Sequence, residues 1–399
     1  MRVFYHTNIP SPYRMDFLNE LGKQCQLTAF FEGTSARDRD AAWFTGKAEH
    51  FTCVFMKGRQ TGDEQYFCPE ILRHLRRGWD RIILSGYSSP TVMLAIEYLR
   101  LRHISFYIEL DGGMVQQESR LKYLVKRHFA GAASGWFSSG RATTEFITHY
   151  GADPARCYQY PFSSLLERDL VEAVQLAPED LACLAAPPPG LRADSLEDIR
   201  RWSREDYIAR RALLRRCARK RLGLGEGPML LSVGQIIPRK GHDILLRALS
   251  ALETDCTLCI VGGEATPQLE ALLSQLSLTN VRFIPFVDKK TLSLYYRAAD
   301  LFVLATRFDI WGLVINEAMA QGLGVITTRR CVAGVELVEE GENGFLVEAE
   351  DAAGLARQLN RLLPYPQLQA RFGERGYRRM MDCTIEQMAR RHYEILSRT

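Results

Sequence analysis

The chain opens on an apolar run, Val3-Phe4-Tyr5, turns polar from Thr7 to Ser11, then spaces apolar residues helically at Phe17, Leu18 and Leu21. That order predicts strand, loop, helix. Leu27 to Phe31 reads as a second strand, Asp80 to Ser85 as a buried strand, Thr91 to Arg102 as a helix, and Ser105 to Leu110 as a strand closed by Asp111-Gly112-Gly113. Short apolar strands separated by helix-length segments argue for a parallel sheet covered on both faces.

The same grammar restarts near residue 229. Met229 to Val233, Thr257 to Val261, Val281 to Pro285, Leu301 to Ala305 and Gly324 to Thr327 read as strands. Gly241 to Leu252, Lys289 to Ala298 and Gly312 to Gln321 read as helices between them. The intervening stretch, 163–226, shifts in composition. It holds Pro187-Pro188-Pro189-Gly190, which neither a helix nor a central strand tolerates. It then becomes basic, with seven Lys or Arg among the twelve residues 210–221 and no acid. We read it as a linker enlarged by an insertion. The basic run is either a solvated linker helix or a surface that docks on anionic lipid, with Lys122, Lys126 and Arg127 adding to it. Beyond residue 350 the chain is helical, and Thr384 to Ser397 reads as an amphipathic helix.

Composition narrows the class. With 399 residues, 46% hydrophobic and 25% charged, the chain is globular and too long for one ordinary domain. A net charge of +4 gives no reason to expect nucleic acid. No apolar stretch is long enough for a membrane helix, and the N-terminus lacks a signal-peptide core, so a cytoplasmic protein is expected. The ten Cys form no framework, and the C-x-x-C of Cys256 and Cys259 falls in a strand rather than at a helix start. Eight scattered His show no metal-ligand spacing.

Candidate chemistry sits in two loops. A strand ending at Ala305 is followed by Asp309 and then a helix start at Gly312 that presents Glu317. Amides at such a start favour an anion, and two carboxylates beside it suit a ligand carrying hydroxyls next to its phosphates. The second loop, Gly234-Gln235-Ile236-Ile237-Pro238-Arg239-Lys240-Gly241, follows a strand and offers two cations suited to a diphosphate. Asp309 has a blander reading as the cap of the following helix. In the first half, Asn8, Ser11, Tyr13 and Arg14 follow the first strand, at the sheet edge where ligands bind. Arg14 there meets an acceptor phosphate or is a surface residue of the helix start. Asp111 faces the ligand or is part of a plain turn. Glu109 lies within its strand, which argues against a metal there.

Together, D-x7-E at Asp309 and Glu317, Arg239-Lys240-Gly241, and G-x-N-G-F at Gly341 to Phe345 resemble the retaining glycosyltransferases of family 4. Pro10-Ser11-Pro12-Tyr13-Arg14 and Trp311 to Met319 are similar to its bacterial surface-polysaccharide branch. The resemblance covers nearly the whole chain and implies the GT-B fold, an α/β architecture of two Rossmann-like domains facing across a cleft. Residues 1–162 would form the acceptor-side domain, joined by the terminal helix at 384–399, and 227–383 the nucleotide-sugar domain. It implies transfer of a sugar from a UDP- or GDP-sugar to a hydroxyl of a sugar or lipid-linked acceptor in polysaccharide, lipopolysaccharide or glycolipid assembly; the lipid-docking reading of the basic run would add peripheral contact with the inner face of the membrane. No metal or other cofactor is implied. Glu317 would bind the nucleotide ribose, Asp309 the sugar hydroxyls, and Lys240, with Arg239, the diphosphate. Gly234 and Gln235 would lie beside it, amides near Trp311, Gly312 and Leu313 would cap the phosphates, and Phe286 and Val287 would meet the base.

Three positions depart from the family pattern. Asp309 stands where Glu is commoner, Gln235 where many members have Arg, and Gly324 where Pro is frequent. Two alternatives stay open: a nucleotide-sugar epimerase or hydrolase on the same fold, and an inactive scaffold subunit.

Overall fold

A computed structural model describes residues 1–34, 46–62, 65–182 and 193–398. The Pro187–Gly190 run lies outside the described residues. The chain divides into two units, Met1–Leu166 with Cys383–Thr399, and Glu167–Asp382.

In the first unit, β1 (Arg2–Thr7), β2 (Gln26–Phe31) and β3 (Thr52–Phe55) precede a two-stranded hairpin, β4 (Arg59–Gln60) and β5 (Tyr66–Phe67). β6 (Arg81–Ser85), β7 (Tyr107–Leu110), β8 (Gly135–Ser138) and β9 (Cys157–Gln159) follow. The main sheet is parallel throughout, in the order β3-β2-β1-β6-β7-β8-β9. Its direction of winding reverses between β1 and β6. Phe4, Ile82, Leu84 and Ile108 bury against Ile96, Leu99 and Trp136, so these strands read as unbroken apolar runs. The helix Ile385–Arg398 belongs to this unit and packs along the helix Pro12–Gly22. Its His392 ring stacks on Phe137 at 4.5 Å.

In the second unit, β10 (Met229–Val233), β11 (Thr257–Val261), β12 (Val281–Ile284), β13 (Leu301–Leu304), β14 (Gly324–Thr328) and β15 (Gly344–Val347) form a parallel sheet in the order β12-β11-β10-β13-β14-β15. This is the doubly wound 3-2-1-4-5-6 order, with its switch point between β10 and β13. Leu230, Leu258, Ile260, Leu301 and Val303 pack under the helices Pro267–Gln275 and Ala352–Leu362. Cys256 and Cys259 are buried here, and burial pushes their thiols up to about 12 and about 11, well away from a reactive thiolate.

The stretch expected to be a linker is part of the second unit from Glu167 onward. Its main element is the helix Arg204–Leu222, capped by the Ser203 hydroxyl and closed by Gly223. This overturns both readings of the basic run. Of its seven cations only Arg216 and Lys220 are exposed, whereas Arg210, Arg211 and Arg219 are buried. Arg211 donates to the carbonyls of Gln321, Arg297, Tyr296 and Ala299 at 2.6–3.2 Å. Arg219 donates to Ala298 O at 2.9 Å and to Asp300 at 2.7 Å. The guanidinium groups therefore satisfy the orphan carbonyls that end the helix Lys289–Ala298. A charge count along the sequence cannot show this, because a buried fork and a solvated one are written alike. Among the described residues no helix is long and apolar enough to cross a membrane.

Candidate active site

The loops that follow β10 and β13 flank the switch point of the second sheet. They are stitched together by backbone and side chain. Arg239 O accepts from Arg307 N at 2.8 Å and from the Thr306 hydroxyl at 2.9 Å. The Arg307 guanidinium pairs with both Asp243 oxygens at 2.9 and 2.8 Å and donates to Pro238 O at 2.5 Å. That fork holds the Asp243 carboxyl below its usual range, chiefly through the hydrogen bonds from Arg307.

Within this frame Lys240 Nζ lies 2.5 Å from Asp309 Oδ2, and Arg239 Nη1 lies 3.4 Å from Asp309 Oδ1. Lys240 and Asp309 are mostly buried, while the Arg239 side chain is 42% exposed. Asp309 makes no cap to the following helix Leu313–Ala320, whose N-cap is Gly312 with no side-chain bond. Its blander reading is thereby removed. Instead its backbone is pinned between Arg330 O, which accepts from Asp309 N at 3.0 Å, and Val332 N, which donates to Asp309 O at 3.3 Å.

Two glycines are required by this geometry. Gly312 has φ +99°, and a Cβ there would stand 2.7 Å from Cys331 Sγ. At Gly234 a Cβ would press to 3.3 Å on the Lys240 stem. At the start of the helix Leu313–Ala320 the Ile315 amide is taken by Gly312 O at 2.9 Å, which leaves the amides of Leu313 and Val314 as the first-turn donors without an intrahelical acceptor. Glu317, on the same helix, accepts from the Tyr296 hydroxyl at 3.0 Å. Burial, reinforced by the Glu317 carboxylate, drives that phenol well above its ordinary range, so Tyr296 stays a donor. The Trp311 indole does not line the site: it is buried and donates to Asn316 Oδ1 at 2.8 Å. Gln235 contributes its carbonyl, which accepts from His242 Nε2 at 3.3 Å. Phe286 and Val287 follow β12, two strands from β10, or roughly 10 Å across the sheet edge. Phe286 is 59% exposed.

Sequence reasoning missed Arg307, Asp243 and Tyr296. The only available signals were an Arg opening the Asp309 loop and an Asp in the first turn after Lys240-Gly241.

In the first unit the expectation for Arg14 is corrected. Arg14 is neither a surface residue nor a cation free for a phosphate. It is 2% exposed and pairs with Glu109 at 2.7 Å and with both Asp111 oxygens at 2.7 Å. Tyr5 donates to Glu109 at 2.7 Å and Tyr13 to Asp111 at 3.2 Å. Burial pushes the Glu109 carboxyl up, but Arg14 and His392 outweigh it and hold it below its usual range. Two carboxylates around one guanidinium leave no excess positive charge. Asp111 is the partly exposed end of this network and is no plain turn residue. Ser11 is buried at the start of the helix Pro12–Gly22, and Asn8 O accepts from Gly33 N at 3.0 Å.

Comparison with known proteins adds to this geometry. Residues 215–379 match the family model described as Glycosyl transferases group 1. The chain is 32% identical over 218 residues to a D-inositol 3-phosphate glycosyltransferase of Streptomyces griseus, covering 51% of this chain and 46% of the relative. It is 31% identical over 154 residues to the lipopolysaccharide core biosynthesis glycosyltransferase LpsE of Rhizobium meliloti, covering 38% of this chain and 44% of the relative. The matches thus span about half the length of these curated relatives or less. Among solved structures, Anabaena Alr3699/HepE in complex with UDP superposes with a TM-score of 0.74 over 100% of both chains, at 16% identity. WaaG, a glycosyltransferase involved in lipopolysaccharide biosynthesis, superposes with a TM-score of 0.64 over 99% of both chains, at 16% identity. The fold is GT-B, with a parallel sheet of seven strands in one unit and of six in the other.

Proposed function

We propose that the protein is a retaining glycosyltransferase of the family 4 type, which moves a sugar from a UDP- or GDP-sugar to a hydroxyl acceptor. The observation that carries this reading is the Lys240–Asp309 pair across the switch point, beside the open first turn of Leu313–Ala320. A diphosphate arriving there competes with Asp309 for Lys240 and Arg239. The freed carboxylate then accepts hydroxyls of the donor sugar, and Glu317 those of the ribose. The glycosidic C–O bond breaks with its electron pair leaving on the diphosphate. Lys240, Arg239 and the helix amides offset that charge, at ~3–4 kcal/mol for a well-placed donor. The acceptor oxygen attacks from the same face, and its proton passes to the departing phosphate oxygen. No dedicated base and no metal is needed in this scheme.

The reading is supported by the family match over 215–379 and by the GT-B fold. UDP bound to HepE and the lipopolysaccharide role of LpsE favour a nucleotide-sugar donor and a polysaccharide, lipopolysaccharide or glycolipid acceptor. We place the protein in the cytoplasm, in peripheral contact with the membrane. A thermal-shift screen with UDP, GDP and their sugars tests the donor site, because a ligand bound only by the folded state raises Tm. Nucleotide release that needs an acceptor supports transfer. Release without one points to a hydrolase or epimerase, and no shift with any nucleotide removes the donor-site reading.

A further inference from the structure

The helix Arg120–Ala130 of the first unit is built inside out. Surface helices ordinarily turn their apolar stripe to the core. Here, of the residues in this helix, only Ala130 is buried, while Leu121 is 74% exposed, Leu124 48% and Val125 44%. Leu121, Leu124, Val125 and His128 follow the i, i+3, i+4, i+7 spacing and form one outward stripe. Tyr123 and Phe129 are half-buried on the inner side, and the Tyr123 hydroxyl donates to His149 O at 3.3 Å. The apolar stripe therefore does not result from a helix lifted off its unit.

The charges around the stripe are predominantly positive. Residues 114–130 hold four cations, Arg120, Lys122, Lys126 and Arg127, against one acid, Glu118. Glu118 is taken by Lys126 at 2.6 Å and by the Tyr150 hydroxyl at 2.6 Å. By helical geometry Arg120 and Arg127 border the stripe on one side and Lys122 borders it on the other. All three are exposed. From outside the segment, Glu97 pairs with His128 at 2.6 Å and with Arg100 at 3.5 Å.

We propose that this helix is the membrane-docking face of the protein, lying in the interface of an anionic bilayer. The leucines and Val125 enter the acyl boundary, and Arg120, Lys122 and Arg127 reach the phosphates. An apolar stripe flanked by cations fits that interface, where burial and attraction to anionic lipid act together. The proposal locates the peripheral contact suggested above and rests on it, but not on the transfer chemistry. It also moves that contact away from 210–221, whose arginines are mostly spent inside the second unit.

Co-sedimentation of the full chain with phosphatidylcholine vesicles, with and without phosphatidylglycerol, tests it. UDP thermal shift is run on every variant. Wild type is expected to bind the anionic vesicles preferentially and to release them as salt rises. L121S/L124S and, separately, R120Q/K122Q/R127Q are each expected to weaken binding by roughly tenfold or more. Their Tm and UDP shift should match wild type, which shows that the donor site and the fold are intact. Failure of wild type to bind overturns the proposal, as does wild-type binding by both variants, which would leave peripheral contact to another surface. Self-association that is lost in L121S/L124S, with vesicle binding unchanged, assigns the stripe to a second copy of the chain and overturns it too. A missing UDP shift in wild type counts against the donor reading alone.

Discussion

Lys240 and Asp309 meet at 2.5 Å across the point where the second sheet reverses its winding. They come from adjacent strands, β10 and β13, and their loops share the Arg239 carbonyl. The pair places a counter-ion on the cation that the donor diphosphate would use. Asp309→Asn is therefore expected to separate two quantities. UDP should bind about threefold tighter or more, the scale of a released part-buried ion pair. Sugar transfer should fall, because the hydroxyl-accepting carboxylate is gone. Calorimetric titration with UDP, beside a turnover assay, measures both. Lys240→Ala should weaken UDP binding and lower kcat/KM by roughly 100-fold or more.

Glu317 and Tyr296 give a graded test of the proposed ribose contact. Glu317→Ala should lower kcat/KM by about 100-fold while Tm stays near wild type. Tyr296→Phe removes only the hydroxyl that orients the carboxylate, so the loss should stay under about tenfold. Wild-type turnover in purified Glu317→Ala would remove the residue from the site.

Gly312 is held by shape as well as by φ. Gly312→Ala should cost about 1–2 kcal/mol from backbone conformation alone. The Cβ contact with Cys331 Sγ at 2.7 Å adds to that cost. The double variant Gly312→Ala/Cys331→Ala should recover part of the lost Tm and little of the lost turnover, since the φ penalty persists. Equal Tm in the single and double variants would show that the contact relaxes without cost.

Arg211 tests the reassignment of the basic helix. Burial pulls its guanidinium down to about 10, and four carbonyls accept from it. Arg211→Ala strands those carbonyls and should lower stability by ~3 kcal/mol or more in urea unfolding. Arg211→Lys should not restore it, because an ammonium cannot span the fork. Vesicle binding should be unchanged.

His242 sets a pH dependence. Burial holds its imidazole below the ordinary value. As pH falls below about 6.5, the unfolded chain takes up a proton that the folded state resists, so stability is full above that pH and declines on acidification. The slope of Tm between about pH 7 and 5 should be shallower in His242→Gln than in wild type. Parallel curves would show that His242 does not titrate differently in the two states.

Much of the architecture was legible because parallel strands buried on both faces are written as short apolar runs. Val3-Phe4-Tyr5, Met229–Val233 and Leu301–Ala305 announce themselves in this way, and loops after such strands are where ligand groups belong. Asp309, Glu317 and Lys240 could be picked as candidates on that basis, and the structure brings Lys240 and Asp309 together. Arg307 and Asp243 could not, because they are 64 residues apart and nothing in either neighbourhood names the other. Arg14 misled for a related reason. A polar helix start after β1 reads as surface, whereas Glu109 and Asp111, nearly a hundred residues away, draw the guanidinium into the core.

By itself the sequence determined the order of elements, the two α/β units and the loops of the candidate site, since hydrophobic period, glycine and chain direction are local properties. Only the tertiary structure decided what each charge does. Lys240 faces a carboxylate, Arg211 ends a helix, and Arg120, Lys122 and Arg127 remain in solvent around an apolar stripe. The same residue type serves all three roles because the energy of a charge depends on its burial and its partners, and both are set by packing between distant segments.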